Sequence, residues 1–157
     1  TGWYTLSLHD ALPILSYFAD IFGIDEKIKK HKIEEVLKIT GLDVRSDVRI
    51  KGFSKGMQGR LGLAQALLND PELLLLDEPM SGLDPLGYKE TREIILGLKK
   101  AGKTIFFNSH ILSEVEKICD KVGVLHKGTM SEIKTVADIV KEHGDVEKYF
   151  VKIAGEN

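Results

Sequence analysis

The chain has 157 residues, enough for one ordinary domain, and its 43% hydrophobic and 29% charged residues allow both a buried core and a polar surface. The formal net charge of −2 argues against a dedicated nucleic-acid binder, and the single cysteine, Cys119, excludes an internal disulfide. Since no apolar run approaches the roughly 20 residues that span a bilayer, any membrane role has to go through a partner.

The first stretch of interest, Thr5 to Ile14, resembles the direct translation of a common sequencing adapter, and every codon agrees. A native helix broken at Pro13 is the alternative interpretation. We predict that residues 1–14 are a non-native, adapter-derived segment, so they are left out of fold reasoning. The native protein is then expected to begin near Leu15.

A small helical subdomain is predicted over residues 15–70. Apolar residues at helical spacing, with Gly41 as a candidate C-cap, favour helices here. The predicted helices run over residues 15–23, 25–40 and 56–69, with a polar connector over 42–53. The last helix is expected to bury one apolar side, made of Leu61, Leu63, Ala64, Leu67 and Leu68.

Strands and helices then alternate, which predicts an α/β core over residues 71–130. The apolar run 73–76 is typical of a strand covered on both faces of a parallel sheet. The elements expected after it are a helix over 85–101, a strand over 104–108, a helix over 111–119 and a third strand over 122–126. Lys127 and Gly128 are expected to turn that strand into a hairpin. In the C-terminal tail, residues 131–157, the stretch 136–153 is expected to form two short amphipathic pieces split at Gly144.

A candidate anion site lies where the helix over 56–69 begins. Ser54, Lys55 and Gly56 precede Met57 there, and uncapped amides together with the helix dipole favour an anion. Lys55 adds a full positive charge, so the site could hold a phosphate. An ordinary N-cap at Ser54 remains the alternative from these residues alone.

Two adjacent carboxylates, Asp77 and Glu78, follow the strand over 73–76. Ligands bind at the carboxyl edge of parallel sheets, so one carboxylate could hold Mg²⁺ through water while the other orients and deprotonates an attacking water. A polar exit in which Asp77 caps the next turn is the alternative. The strand over 104–108 also ends in polar residues, and His110 beyond it could donate to a phosphate oxygen or cap the next helix.

The run from Phe53 to Asp84, with His110 beyond it, resembles the ATP-binding-cassette (ABC) ATPase family in the order and spacing of its motifs. Residues 53–57 resemble the signature motif, 73–78 the Walker B motif, 81–84 the D-loop, and His110 the switch histidine. The resemblance implies an α/β fold. It would be a partial P-loop NTPase (ABC-type) nucleotide-binding domain, in which a helical subdomain joins a parallel-sheet core with helices on both faces.

The resemblance also implies catalytic roles. Asp77 would bind Mg²⁺ through water, Glu78 would be the general base, and His110 would contact the γ-phosphate of ATP. Arg60, which follows the signature motif, is interpreted as structural.

The cofactor-binding roles that the resemblance implies fall on Ser54, Lys55, Gly56 and Met57, which would contact ATP held mainly by a second ABC ATPase subunit. Asp84 would cross the interface between the two subunits. The motif departs from the commonest family pattern, because Met57 stands where a glutamine is usual.

A Walker A loop and a glutamine loop are implied upstream of the signature motif, and we expect both to be missing. The chain is therefore predicted to be an inactive C-terminal fragment whose incomplete sheet limits its solubility. One literal Walker A match, residues 97–104, is rejected because it leaves a helix and enters a strand, whereas a phosphate loop leaves a strand and opens a helix. Gly102 is interpreted as the end of the helix before it.

The leading interpretation is the ATP-hydrolysing subunit of an ABC transporter, cytoplasmic and peripheral on the inner face of the cell membrane, where it drives a membrane-spanning permease. Residues 77–87 and 144–153 resemble the exporter branch. Two alternatives stay open. One is a soluble ABC ATPase of translation or DNA repair, a class that normally has tandem cassettes or long coiled coils. The other is a non-catalytic interaction fragment.

Overall fold

The computed structural model describes residues 11–42 and 50–155. The chain divides into two compact units, residues 1–108 and 109–157. The described residues exclude most of the segment interpreted as adapter-derived. They also exclude most of the connector predicted over 42–53. The four segments expected from the sequence, with boundaries at residues 15, 71 and 131, therefore remain a prediction.

The described part of the first unit contains four α-helices and a short 3₁₀ turn, Ile50–Gly52. The helices are α1 (Ala11–Ile21), α2 (Glu26–Ile39), α3 (Lys55–Leu67) and α4 (Pro85–Lys100). The α2 helix begins where the Asp25 side chain accepts a hydrogen bond from the Lys27 N–H (2.8 Å). It ends before Gly41, whose positive φ of 63° confirms the predicted C-cap glycine.

The helical core is built from the apolar faces of α1, α2 and α3. All five residues expected on the buried side of α3 are buried. Arg60 on α3 pairs with Glu90 on α4 (3.1 Å) and donates to the Gly41 carbonyl (3.5 Å), which supports its structural interpretation.

Helix α1 begins four residues earlier than expected. Ala11, Leu15 and Ala19 recur every four residues and are all fully buried, so the apolar face is continuous from the first turn. Pro13 stands in that first turn, where its missing N–H leaves no helical hydrogen bond unmade. The adapter origin of residues 1–14 stays a prediction.

A two-stranded parallel sheet adjoins the helices. Its strands are β1 (Leu73–Asp77) and β2 (Thr104–Asn108), in a register that pairs Leu73 with Thr104 and Asp77 with Asn108. Leu74 is buried in the core, but Leu75 is 70% exposed and Phe106 is 64% exposed. Among the described residues one face of β1 is therefore buried and the other is exposed, whereas the sequence predicted a strand covered on both faces.

The connection from α4 to β2 contains the literal Walker A match. The helix ends with Lys99 and Lys100 in its last turn, and Gly102 takes a φ of 86° before the strand begins. Lys103 forms an ion pair with Asp70 (2.5 Å) and donates to the Asp70 carbonyl (3.2 Å). This helix-to-strand order confirms the rejection of the match as a phosphate loop.

The second unit is built from short elements. They are α5 (Leu112–Ile118), β3 (Lys121–Val122), β4 (Leu125–His126), β5 (Thr129–Met130), β6 (Lys134–Thr135), α6 (Val136–His143) and α7 (Val146–Gly155). Strand β3 pairs antiparallel with β6, and β4 pairs antiparallel with β5. Among the described helices of the whole chain, none has the length and hydropathy to cross a membrane.

The third parallel strand expected over 122–126 is a wrong prediction. The segment splits at Gly123 into β3 and β4, each with its own antiparallel partner. Val124 lies between them and forms two hydrogen bonds with Ser131. The Val124 N–H donates to Ser131 Oγ (2.8 Å), and the Ser131 N–H donates to the Val124 carbonyl (2.8 Å). The two-residue turn at Lys127 and Gly128 is confirmed, both with positive φ.

The split tail is also confirmed. Thr135 caps α6 by accepting from the Asp138 N–H (3.1 Å), and Gly144 ends it with a φ of 94°. Glu116 on α5 accepts a hydrogen bond from the N–H of Val146 (3.0 Å), which ties the start of α7 to the rest of this unit.

Candidate functional site

The carboxyl end of the parallel sheet carries the two predicted acids. Asp77 is the last residue of β1 and is exposed, while Glu78 follows it and is half-buried. The alternation of side chains along β1 places Asp77 on the exposed face, the same face as its register partner Asn108. The expected position of both acids at this edge is therefore confirmed.

Asn108 joins the two acidic residues. Its Nδ2 donates to Asp77 Oδ1 (2.8 Å), and its Oδ1 accepts a hydrogen bond from the backbone N–H of Glu78 (2.9 Å). Sequence reasoning treated Asn108 only as the end of a strand. A signal was present, since the predicted parallel strands end at the same edge, where Asn108 comes opposite Asp77.

The backbone at Glu78 takes a left-handed conformation, with a φ of 45°. This conformation costs a non-glycine residue about 1–3 kcal/mol and persists where the surroundings enforce it. The Ser81 N–H donates to the Glu78 carbonyl (3.0 Å), and Met80 is 1% exposed. A buried anchor and hydrogen bonds on both sides thus hold the chain where it leaves β1.

The start of α3 has the geometry of a capped helix N-terminus. Ser54 is the N-cap, and its Oγ accepts from the Met57 N–H (3.2 Å). The N-cap interpretation is therefore confirmed for Ser54. Lys55 and Gly56 form the first residues of the helix, where amide groups point away from the helix body.

The loop after β1 packs directly on this helix start. Gly82 has a φ of 69°, and a Cβ built there would lie 2.5 Å from Lys55 Nζ. On the other side, a Cβ at Gly56 would meet Leu83 at 3.5 Å. The segments that resemble the signature motif and the D-loop are therefore in contact within one chain.

Asp84 closes this loop by capping the next helix. Its Oδ1 accepts from the Gly87 N–H (2.7 Å), and Pro85 occupies the first position of α4. In the described structure the Asp84 carboxylate caps α4. Its expected role at a subunit interface stays a prediction.

His110 belongs to the second unit and is exposed. The Ile111 N–H donates to Ser109 Oγ (3.0 Å), and the N-cap residue of α5 is Ile111. Ser109 therefore accepts the hydrogen bond just before α5, and among the described residues no side chain caps the helix itself, so the alternative in which His110 is the cap is not supported. Its proposed contact with phosphate stays a prediction.

The acids at the sheet edge suit a magnesium ion that takes most of its ligands from outside the protein. Among the described residues no cluster of three or more histidine, cysteine, aspartate or glutamate side chains could enclose a metal. Mg²⁺ keeps several waters and is usually bound by one or two carboxylates plus substrate phosphates. A single exposed carboxylate at Asp77 fits that mode.

Comparison with known proteins identifies the family. The ABC transporter family model matches residues 5–81. The chain is 53% identical over 132 residues to an ABC transporter ATP-binding protein of Nostoc sp., an alignment that covers 83% of this chain. It is 51% identical over 115 residues, or 73% of this chain, to the bacitracin transport ATP-binding protein BcrA of Bacillus licheniformis. In each alignment the chain spans 37% of the relative's own length.

Solved structures support the same assignment. The ATP-binding subunit of an ABC transporter superposes with a TM-score of 0.72 at 28% identity, covering 98% of this chain and 64% of that one. The cbiO1 protein of Clostridium perfringens, part of the transporter complex cbiONQ, gives a TM-score of 0.75 at 24% identity, which shows a shared fold. It covers 97% of this chain and 61% of that one. The chain belongs to the ABC transporter ATP-binding protein family.

Proposed function

We propose that this chain is the C-terminal part of an ATP-binding and ATP-hydrolysing subunit that drives export through a separate membrane-spanning permease. The observation that carries the proposal is the pair of acids at the carboxyl end of β1, joined by Asn108. The similarity to a bacitracin transport protein supports a transport role. The subunit would act in the cytoplasm, peripheral to the inner face of the membrane.

Asp77 is the proposed magnesium ligand, acting through water. Its carboxylate is exposed at the sheet edge, and its Oδ1 is already held by Asn108, so it is oriented before any ion arrives. When bound, Mg²⁺ supplies charge neutralisation for the β- and γ-phosphates of ATP.

Glu78 is the proposed general base. Its half-buried side chain follows the strand end directly, and the left-handed backbone redirects the chain at this residue. A carboxylate so placed would orient an attacking water and take its proton. His110 is proposed to donate a hydrogen bond to the γ-phosphate.

The start of α3 is proposed to face ATP held by a second ABC ATPase subunit. Ser54, Lys55, Gly56 and Met57 would contact that nucleotide, because the helix dipole and the Lys55 ammonium both favour an anion there. Asp84 would lie at the same interface. ATP would thus be bound between two subunits, and its binding would hold the two subunits together.

The 157 residues on their own are proposed to be inactive in hydrolysis. The literal Walker A match leaves a helix and enters a strand, and its Lys103 is engaged by Asp70. The α- and β-phosphates therefore need a phosphate loop supplied by the rest of a full-length protein.

The test is Glu78→Gln in the full-length polypeptide. Loss of the base should lower kcat at least 100-fold, in the range of general-base effects, while ATP binding is kept. Steady-state hydrolysis and equilibrium nucleotide binding measure the two effects separately. Normal turnover in this variant would refute the assignment of Glu78.

The matched control is Lys103→Ala, which removes the lysine of the literal Walker A match. Because Lys103 bonds to Asp70, its loss should leave kcat and ATP affinity within about twofold of the parent protein. A loss of nucleotide binding in this variant would mean that residues 97–104 act as a phosphate loop.

A further inference from the structure

Asn108 is the residue at the sheet edge that the proposed chemistry leaves without a role. It contacts two consecutive residues of the neighbouring strand end, the side chain of Asp77 and the backbone of Glu78. One contact uses the donor end of its amide and the other uses the acceptor end. Turning the amide over would break both hydrogen bonds, so this arrangement fixes its orientation.

The register of the sheet explains why Asn108 can contact both Asp77 and Glu78. Asn108 pairs with Asp77 as the last residue pair of the parallel ladder, and their side chains lie on the same face. Glu78 has already left the strand and has a φ of 45°. Its N–H therefore takes a side-chain acceptor, and Asn108 provides one at 2.9 Å.

We propose that Asn108 is a positioning residue for ATP hydrolysis, which holds the Asp77 carboxylate in place for the metal and the Glu78 backbone in its left-handed conformation. The inference rests on the proposed function of the two acids. Neither hydrogen bond uses the Glu78 carboxylate or a reacting atom, so Asn108 acts through its two neighbours.

The two halves of this role predict separable effects. Losing the hydrogen bond to Asp77 frees the carboxylate to rotate, so binding of Mg²⁺ with ATP should require more Mg²⁺. Losing the acceptor for the Glu78 N–H loosens the backbone at the proposed base, so kcat should fall. ATP affinity without divalent metal should not change, because neither contact reaches the nucleotide directly.

The experiment compares Asn108→Ala with Thr104→Ala in the full-length polypeptide. Thr104 is exposed on the same face of β2 and lies opposite Leu73, away from both acids. Removing an outer partner of a metal ligand typically costs 10–100-fold. Asn108→Ala should therefore lower kcat about 10–100-fold and raise the half-saturating Mg²⁺ concentration severalfold, while Thr104→Ala changes neither beyond about twofold.

A second readout does not depend on turnover. In a Glu78→Gln background, Asn108→Ala should still raise the Mg²⁺ concentration needed for nucleotide binding, since that effect goes through Asp77. In the 157-residue chain, ¹⁵N-labelled spectra should show the Glu78 amide shifted by Asn108→Ala and not by Thr104→Ala.

The outcomes separate the two proposals. If Glu78→Gln abolishes turnover but Asn108→Ala behaves like Thr104→Ala in kcat, Mg²⁺ dependence and the Glu78 amide signal, the positioning role is overturned and the base assignment stands. If Glu78→Gln turns over normally, the proposed function itself fails, whatever Asn108→Ala does.

Discussion

At the scale of single residues, polar contacts decide which groups are available for chemistry. Asp77 has one oxygen held by Asn108, and Asp84 has one oxygen committed to the cap of α4. Lys103 resembles a phosphate-loop lysine in sequence, but its ammonium lies 2.5 Å from Asp70. A charged residue in a suggestive motif therefore has to be judged by the contact it makes.

The Asp70–Lys103 pair leads to a pH-dependent prediction. The hydrogen bond from Lys103, with its positive charge, lowers the pKa of Asp70 from its ordinary 3.8. A lowered pKa means that the ion pair stabilises the fold above pH 3.8 and loses that effect as the pH falls through the lowered value. Asp70→Asn should therefore reduce the free energy of unfolding at pH 7 by up to about 1 kcal/mol, typical of exposed ion pairs.

The measurement is urea unfolding of the two proteins between pH 7 and pH 3. Asparagine tolerates the left-handed φ of 48° at this position, so the substitution isolates the charge. Glu93→Gln, which removes the 4.0 Å pair with Lys89, is the control and should have little effect. A difference for Asp70→Asn that grows on acidification would contradict the predicted sign.

At the scale of elements, the start of α3 and the loop after β1 form one contact region. Lys55 lies across Gly82, and Leu83 lies against Gly56. The loop can follow this path because Gly82 takes a φ of 69°, where an L side chain is strained. Two segments that resemble separate motifs are thus mechanically joined within one unit.

Two glycine substitutions test whether the left-handed turn at Gly82 is required. We expect them to change the free energy of unfolding in opposite directions. Gly82→Ala should lower the free energy of unfolding by about 1–2 kcal/mol, because its positive φ strains a Cβ and the Lys55 side chain has to move. Gly59→Ala, inside α3 where a Cβ would meet nothing within 4 Å, should raise it by about 0.5–1 kcal/mol. Denaturant unfolding of both variants gives the two values. Equal changes in the free energy of unfolding for the two variants would show that stability does not depend on glycine in the left-handed turn.

At the scale of the whole molecule, the described residues of the first unit leave one face of the parallel sheet exposed. Leu73 and Leu75 on β1 and Phe106 on β2 are 52%, 70% and 64% exposed; Leu75 pairs with Phe106 in the register, and Leu73 lies two residues earlier on the same face. Parallel sheets are normally covered on both faces, so we expect this apolar surface to favour association. Since the chain spans 37% of the length of its relative from Nostoc, a full-length protein has further residues that could cover it.

We therefore expect the isolated 157-residue chain to self-associate as its concentration rises. The double variant Leu75→Thr, Phe106→Thr should shift it toward the monomer, since it removes most of the apolar area from this face. Leu86→Thr on α4, where the leucine is 61% exposed, is the control. Light scattering after size exclusion measures the mass, and equal association in all three proteins would exclude the sheet face as its cause.

The sequence by itself determined the elements whose signals are local. Ser54 and Gly102 mark helix ends through capping and backbone freedom, and β2 was predicted with its observed bounds. The two acids at a strand end were also predictable, because a parallel ladder brings carboxyl ends to one edge. The family resemblance rested on these short motifs in order.

Only the tertiary structure decided what depends on contacts between distant residues. The segment 122–126 had strand-forming residues, but Val124 bonds to Ser131, and its neighbours pair with short antiparallel strands instead. The exposure of one face of β1 could not be predicted from the sequence, because an apolar run does not indicate which elements pack against the strand. Asn108 became a candidate for function through two hydrogen bonds that span about 30 residues of chain. Local propensity places elements along the chain, and packing fixes which partner each side chain meets.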